Sequence, residues 1–104
     1  MAHAALLTGS FDKALEFSDR AILLAPDLLV HKGNRAHALM FMGRTEEARR
    51  LYVAHKGQRL SELEYKTWEE AVSEDFALFR KAGLGHLAGS AMAEIEQELP
   101  VQSR

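Results

Sequence analysis

Five histidines, six serines and fifteen carboxylates could do acid–base, nucleophilic or metal chemistry in this chain of 104 residues. Their spacing argues against each. Two ligands share a helix face when they lie three or four residues apart. His3, His31, His37, His55 and His86 contain no such pair, and no Glu-x-x-His occurs. There is no cysteine, which removes disulfides, thiol nucleophiles and Cys-ligated zinc. No serine sits in a Gly-x-Ser-x-Gly elbow, the strained turn that presents a nucleophile to a base. The stretch Gly83-Leu-Gly-His-Leu-Ala-Gly89 has its third glycine one place too late for a dinucleotide fingerprint and follows a helix pattern, not a strand. The pairs Glu46-Glu47 and Glu69-Glu70 fall where helices begin and favour the positive end of the helix dipole. The expectation is a chain with no catalytic residue, no metal site and no cofactor.

The elements that position these side chains follow from composition and period. At 47% hydrophobic and 27% charged, the chain has the make-up of one globular domain, residues 1–104, and two prolines and seven glycines are few for a loop-rich β-sandwich. The longest apolar run, Ala21 to Val30, is broken by Pro26-Asp27 and is too short to cross a membrane. The start of the chain lacks a basic region before an apolar run, so no signal peptide is expected. The expected setting is cytoplasmic, or periplasmic should the chain be a piece of a longer protein. The net charge of −2 divides into +2 over residues 1–57 and −4 over 58–104. A basic run from Arg44 to Arg59 is the sole feature that suits a nucleic-acid backbone, and the overall charge disfavours such a partner.

An internal repeat organises the first half. Gly9-Ser10-Phe11-Asp12-Lys13-Ala14-Leu15 aligns with Gly43-Arg44-Thr45-Glu46-Glu47-Ala48-Arg49 at an offset of 34 residues. Each block reads as a glycine closing one helix, a polar cap and a second helix with a small alanine on its inner face, with Ser10 and Thr45 as the capping residues. Pro26-Asp27 ends the first unit, and Asp27 is placed to cap the helix that follows.

This pattern resembles the tetratricopeptide repeat. The residues that carry the resemblance are Gly9, Ala14, Ala21 and Pro26 in one unit, and Asn34, Ala36, Leu39, Gly43, Ala48 and Tyr52 in the next. It covers roughly residues 1–56. The departures are a first unit that begins inside its first helix, Lys32 in place of the usual aromatic, Arg35 in place of Leu, His55 in place of Ala, and no proline closing the second unit. Helix pairs of this kind cannot bury an apolar side alone and stack on their neighbours.

The second half reads as capping helices over residues 58–104. Thr67-x-x-Glu70 is a capping box, and Trp68, Val72, Phe76 and Phe79 then form one apolar stripe, with Ala71, Asp75, Arg80 and Lys81 beside or opposite it. The stripe is expected to cover the open end of the repeats. Gly83 fits a left-handed helix end with Leu84 folding back on Phe79. A last helix is expected from about His86 to Leu99, stopped by Pro100. Ser61-x-x-Glu64 suggests a short capped turn between. The segment from Thr67 to Leu84 also resembles the C-terminal ends of repeat-bearing bacterial multidomain proteins.

The fold expected is therefore all-α, a tetratricopeptide-like stack of about five helices ending in a capping pair. What the resemblance implies is a non-catalytic protein-interaction or assembly module, whose first helices line a concave groove for a peptide or partner helix. Mapped onto this chain, the partner-binding positions are Val30, Asn34, His37, Met40 and Phe41, with Gly33 letting a ligand backbone approach and Lys32 and Arg35 as basic contacts. The alternative is self-association through Ala5, Leu6 and Leu7, which a shortened first unit would expose.

Overall fold

A computed structural model describes residues 2–60 and 66–99. Among these residues six α-helices follow one another: α1 (Ala2–Leu7), α2 (Phe11–Leu24), α3 (Leu29–Phe41), α4 (Thr45–Ala54), α5 (Trp68–Lys81) and α6 (Ala91–Glu98). A 3₁₀ turn at Gly85–Ala88 precedes α6. Among the described residues there is no strand, and a single antiparallel bridge pairs Arg59 with Thr67. None of the helices among these residues is long and apolar enough to cross a membrane. The suggested Ser61-x-x-Glu64 turn and the stop at Pro100 lie outside the described residues.

The 34-residue offset seen in the sequence is repeated in three dimensions. Gly9 and Gly43 both adopt φ of +83°, a left-handed conformation that costs an L-residue its Cβ clearance. The same two hydrogen bonds close each turn. Gly9 N–H donates to Leu6 (3.1 Å) and Ser10 N–H to Ala5 (2.8 Å), while Gly43 N–H donates to Met40 (3.1 Å) and Arg44 N–H to Leu39 (2.9 Å). Burial repeats as well: Ala2 and Ala36, Ala5 and Leu39, Leu6 and Met40, Ala14 and Ala48, and Ser18 and Tyr52 are all buried. The small residues in this set let α1, α2, α3 and α4 approach one another closely, each packing on the next.

The helix starts differ from the sequence expectation. Arg44, not Thr45, is the residue that flanks α4, and Leu28, not Asp27, flanks α3; neither of these residues, nor Ser10 before α2, makes a side-chain capping bond. These starts are set by packing and by the preceding turns, at Gly9, Pro26-Asp27 and Gly43, rather than by local caps. At α5 the expectation holds in full. Glu70 N–H donates to Thr67 Oγ1 and Thr67 N–H donates to Glu70 Oε1, both at 3.2 Å. Gly83, at φ +82°, ends α5, with Leu84 N–H donating back to Phe79 at 2.8 Å.

The single last helix expected from His86 is two elements. Gly89 takes φ of +59° and separates the 3₁₀ turn from α6, so Leu87 points outward while Ala91, Ile95 and Leu99 are buried. Two ion pairs hold α6 in place. Arg80 of α5 donates to both oxygens of Glu96, and Arg49 of α4 donates to Glu98. These contacts hold Glu96 and Glu98 below the usual carboxylate value, chiefly through the arginine hydrogen bonds.

The expectation of exposed Ala5, Leu6 and Leu7 is overturned. The short α1 lies against both α2 and α3, so Ala5 and Leu6 are buried and Leu7 is half-buried against the core.

Two predictions follow from this architecture. Gly9→Ala and Gly43→Ala should each cost about 1–2 kcal/mol in urea unfolding. The new Cβ meets nothing within 4 Å at either site, so the loss would come from the backbone conformation alone. A carboxylate held low when folded stabilises the fold above its unfolded value and loses that contribution as pH falls through the folded value. Acidification below the ordinary glutamate value of 4.5 should therefore loosen α6, seen as faster amide exchange at Met92–Ile95. Glu96→Gln with Glu98→Gln should remove that pH dependence.

Candidate functional site

Among the described residues the most elaborate polar arrangement is buried where α3, α4 and α5 meet. His37 of α3 is wholly buried. Its Nδ1 lies 2.6 Å from the Tyr52 hydroxyl of α4, and its Nε2 lies 2.9 Å from Asp75 Oδ2 of α5. An ionised carboxylate can only accept, so Nε2 donates to Asp75, while the Tyr52 hydroxyl has both Nδ1 and, at 3.9 Å, the Met40 sulfur as partners. The ring is walled by aromatics, with Phe79 edge-on at 5.0 Å, Tyr52 at 5.6 Å and Phe76 at 5.7 Å. Among the described residues no buried side-chain nitrogen or oxygen is left without a partner.

The sequence placed Asp75 beside or opposite the stripe of α5. It lies on the stripe: Trp68, Val72, Asp75 and Phe79 recur at the spacing of one helix face. A carboxylate in that register signals a buried partner, and that signal was available in the sequence. The repeat also sets His3 and Ser18 where His37 and Tyr52 stand, but Ser18 donates to the Ala14 carbonyl at 2.7 Å instead. Only the larger tyrosine spans the gap between the helices.

In chemical terms this is an orienting network, not a reactive one. Burial, with a smaller contribution from Asp75, pushes the Tyr52 hydroxyl well above its ordinary value of 10.0, so it remains a donor rather than a phenolate. Neither His37 nor Tyr52 is accessible to a substrate. A hollow of about 420 Å³ between α4 and α6 is lined instead by Glu46, Arg49, Glu94 and Glu98, among others, and its charges are partly spent on one another.

The five positions expected to line a groove do not share a surface. Val30 is 51% exposed, whereas Asn34, His37, Met40 and Phe41 are buried. The stripe of α5 fills the space that a ligand would take. Trp68 lies over Gly33, 3.5 Å from where a Cβ would stand, and Phe79 meets Phe41 edge-on at 5.1 Å. From the other side Phe11 stacks on Phe41 at 4.6 Å. Arg35, expected as a basic contact, donates to Asp19 of α2 at 2.8 Å. The basic run is thinned in the same way, since Arg44 chelates Glu47 and Arg49 is held by Glu98.

What α5 leaves uncovered is the outer side of α2 and the turn after it. Leu23 is 84% and Leu24 87% exposed, and Phe17, Leu28 and Val30 are also exposed. Exposed leucines scattered singly are ordinary, but five large apolar side chains between residues 17 and 30 form the feature most able to take part in binding.

No protein-family model matches this chain, and neither a curated protein nor a solved structure is significantly similar to it.

Tyr52→Phe should leave His37 Nδ1 buried without a hydrogen-bond partner and cost about 1–3 kcal/mol in urea unfolding. Asp75→Asn should cost less, because an amide oxygen still accepts from Nε2. Comparing the two denaturation midpoints checks the order.

Proposed function

We propose that this chain is a non-catalytic protein-interaction module, of tetratricopeptide-like architecture, that docks through the apolar outer side of α2 and the α2–α3 turn rather than through a concave groove. The observation that carries the reading is the exposed stripe of Phe17, Leu24 and Leu28 on an otherwise well-filled helical body. Support for the architecture comes from the 34-residue recurrence of the glycine turns and of the buried positions. Support for a role in binding comes from rigidity. The network around His37 ties three helices together, so α2 is displayed on a scaffold that need not reorganise when a partner arrives. The partner surface best suited to such a stripe is another amphipathic helix, read at steps of three and four residues.

A photo-crosslinking amino acid at Leu24, in cells of the protein's source, tests this. A discrete adduct whose second component is identified as a protein by mass supports docking at α2, provided that it is lost when Phe17 is replaced by Glu. The same group at Leu78, exposed on α5, should give no such adduct. No adduct at Leu24 would overturn the reading.

A further inference from the structure

We propose that α6 is a displaceable strap, and that the seat it fills between α4 and α5 takes an acidic amphipathic helix of a partner protein in its place. This goes beyond docking at α2, uses a different face and stands or falls without it.

The fastening of α6 differs in kind from that of the helices beneath it. α5 is tied to α3 and α4 by buried directional bonds, at His37 and at the Trp68 indole. Among the described residues, the hydrogen bonds from other helices to α6 come from Arg49, to Glu98, and from Arg80, to Glu96. Each of these side chains is about a third to a half exposed, so salt screens both pairs and neither holds firmly. A helix of eight residues does not persist on its own, and Ser90 before it makes no side-chain capping bond. Its root is Gly89, at φ +59° and ψ −130°, a residue whose backbone is re-set at little steric cost. Open space runs along both edges. A hollow of about 230 Å³ lies against α5, between Val72 and Leu99, and the hollow of about 420 Å³ lies against α4. An element fastened in this way opens locally at lower free energy than the core under it.

The seat names its occupant, because α6 shows what fits. Ala91, Met92, Ile95 and Leu99 form its buried side and join the core. Glu96 and Glu98 stand two residues apart and so border that apolar stripe on opposite sides, and α6 carries no basic residue. Arg80 receives one border and Arg49 the other. An apolar floor between two arginines selects a helix whose stripe is edged by carboxylates, and repels a basic one.

Amide exchange and a peptide titration, both on the full chain, test the proposal. In native-state exchange the amides of Met92–Ile95 should open in an event that leaves those of α3 protected. The probe for the seat is a dye-labelled peptide with the sequence of residues 90–99. It should bind a chain carrying Glu96→Lys and Glu98→Lys about tenfold more tightly than the wild type, because Arg49 and Arg80 repel that chain's own strap. Unchanged Trp68 fluorescence would confirm that the body beneath is intact. The same two reversals in the peptide should abolish the gain. α6 amides that exchange only through global unfolding overturn the proposal, whether or not the variant folds. So does a peptide that binds both chains alike, and a lysine peptide that gains as much as the glutamate one overturns the acidic partner. A wild-type chain that dimerises in sedimentation, and loses the dimer with Glu96→Lys and Glu98→Lys, makes the occupant the α6 of a second copy and overturns the partner protein.

Discussion

Burying an imidazole is unfavourable unless both ring nitrogens find partners, and His37 finds one on each of two other helices. The arrangement of α3, α4 and α5 depends on that requirement. Apolar packing alone tolerates sliding, because one aromatic contact is much like the next. A ring that must reach Tyr52 Oη on one side and Asp75 Oδ2 on the other fixes how far α5 can move along α3. Trp68 adds a second directional contact, its indole N–H donating to the Tyr52 carbonyl at 2.7 Å. The connection from α4 is fastened as well, with Trp68 N–H donating to Gln58 at 2.7 Å and Gly57 N–H to Glu69 at 2.8 Å.

The first half of the chain was legible from the sequence because its signals are local. The glycine turns, the small inner alanines and the 34-residue offset all fall within a few residues of the structures that they produce. The capping box at Thr67 and the helix end at Gly83 were legible for the same reason. The N-terminal flanks of α3 and α4 were misplaced by one residue, since in the absence of a side-chain cap the start of a helix is decided by tertiary packing. The break at Gly89 was passed over because Leu87, Ala91, Ile95 and Leu99 keep a four-residue step straight through it, and periodicity alone cannot register a glycine with positive φ.

The candidate site was the least legible part. His37, Met40, Phe41 and Asn34 were assigned to an open surface by mapping a repeat whose next unit leaves them accessible. What decides their fate lies some forty residues away in sequence, in the bulk of Trp68, Phe76 and Phe79. Apolar period identified those rings as a cover, but not which face of α3 they cover. The stripe on α2 went unremarked for the opposite reason. Phe17, Leu24 and Leu28 read as ordinary positions of an amphipathic helix, and only the placement of the other helices shows that Leu24 is left bare and Phe17 and Leu28 partly so.

The position of Trp68 has a practical side. It is the only tryptophan in the chain, it is buried, and its ring lies between His55, with centroids 5.1 Å apart, and Tyr52 at 6.5 Å. Its fluorescence therefore reports on one place, where α5 packs against α3 and α4. Helical content measured in the far ultraviolet averages over all the helices. A difference between the two signals during unfolding would separate release of the C-terminal helices from melting of the repeats beneath them, with no label added to the protein.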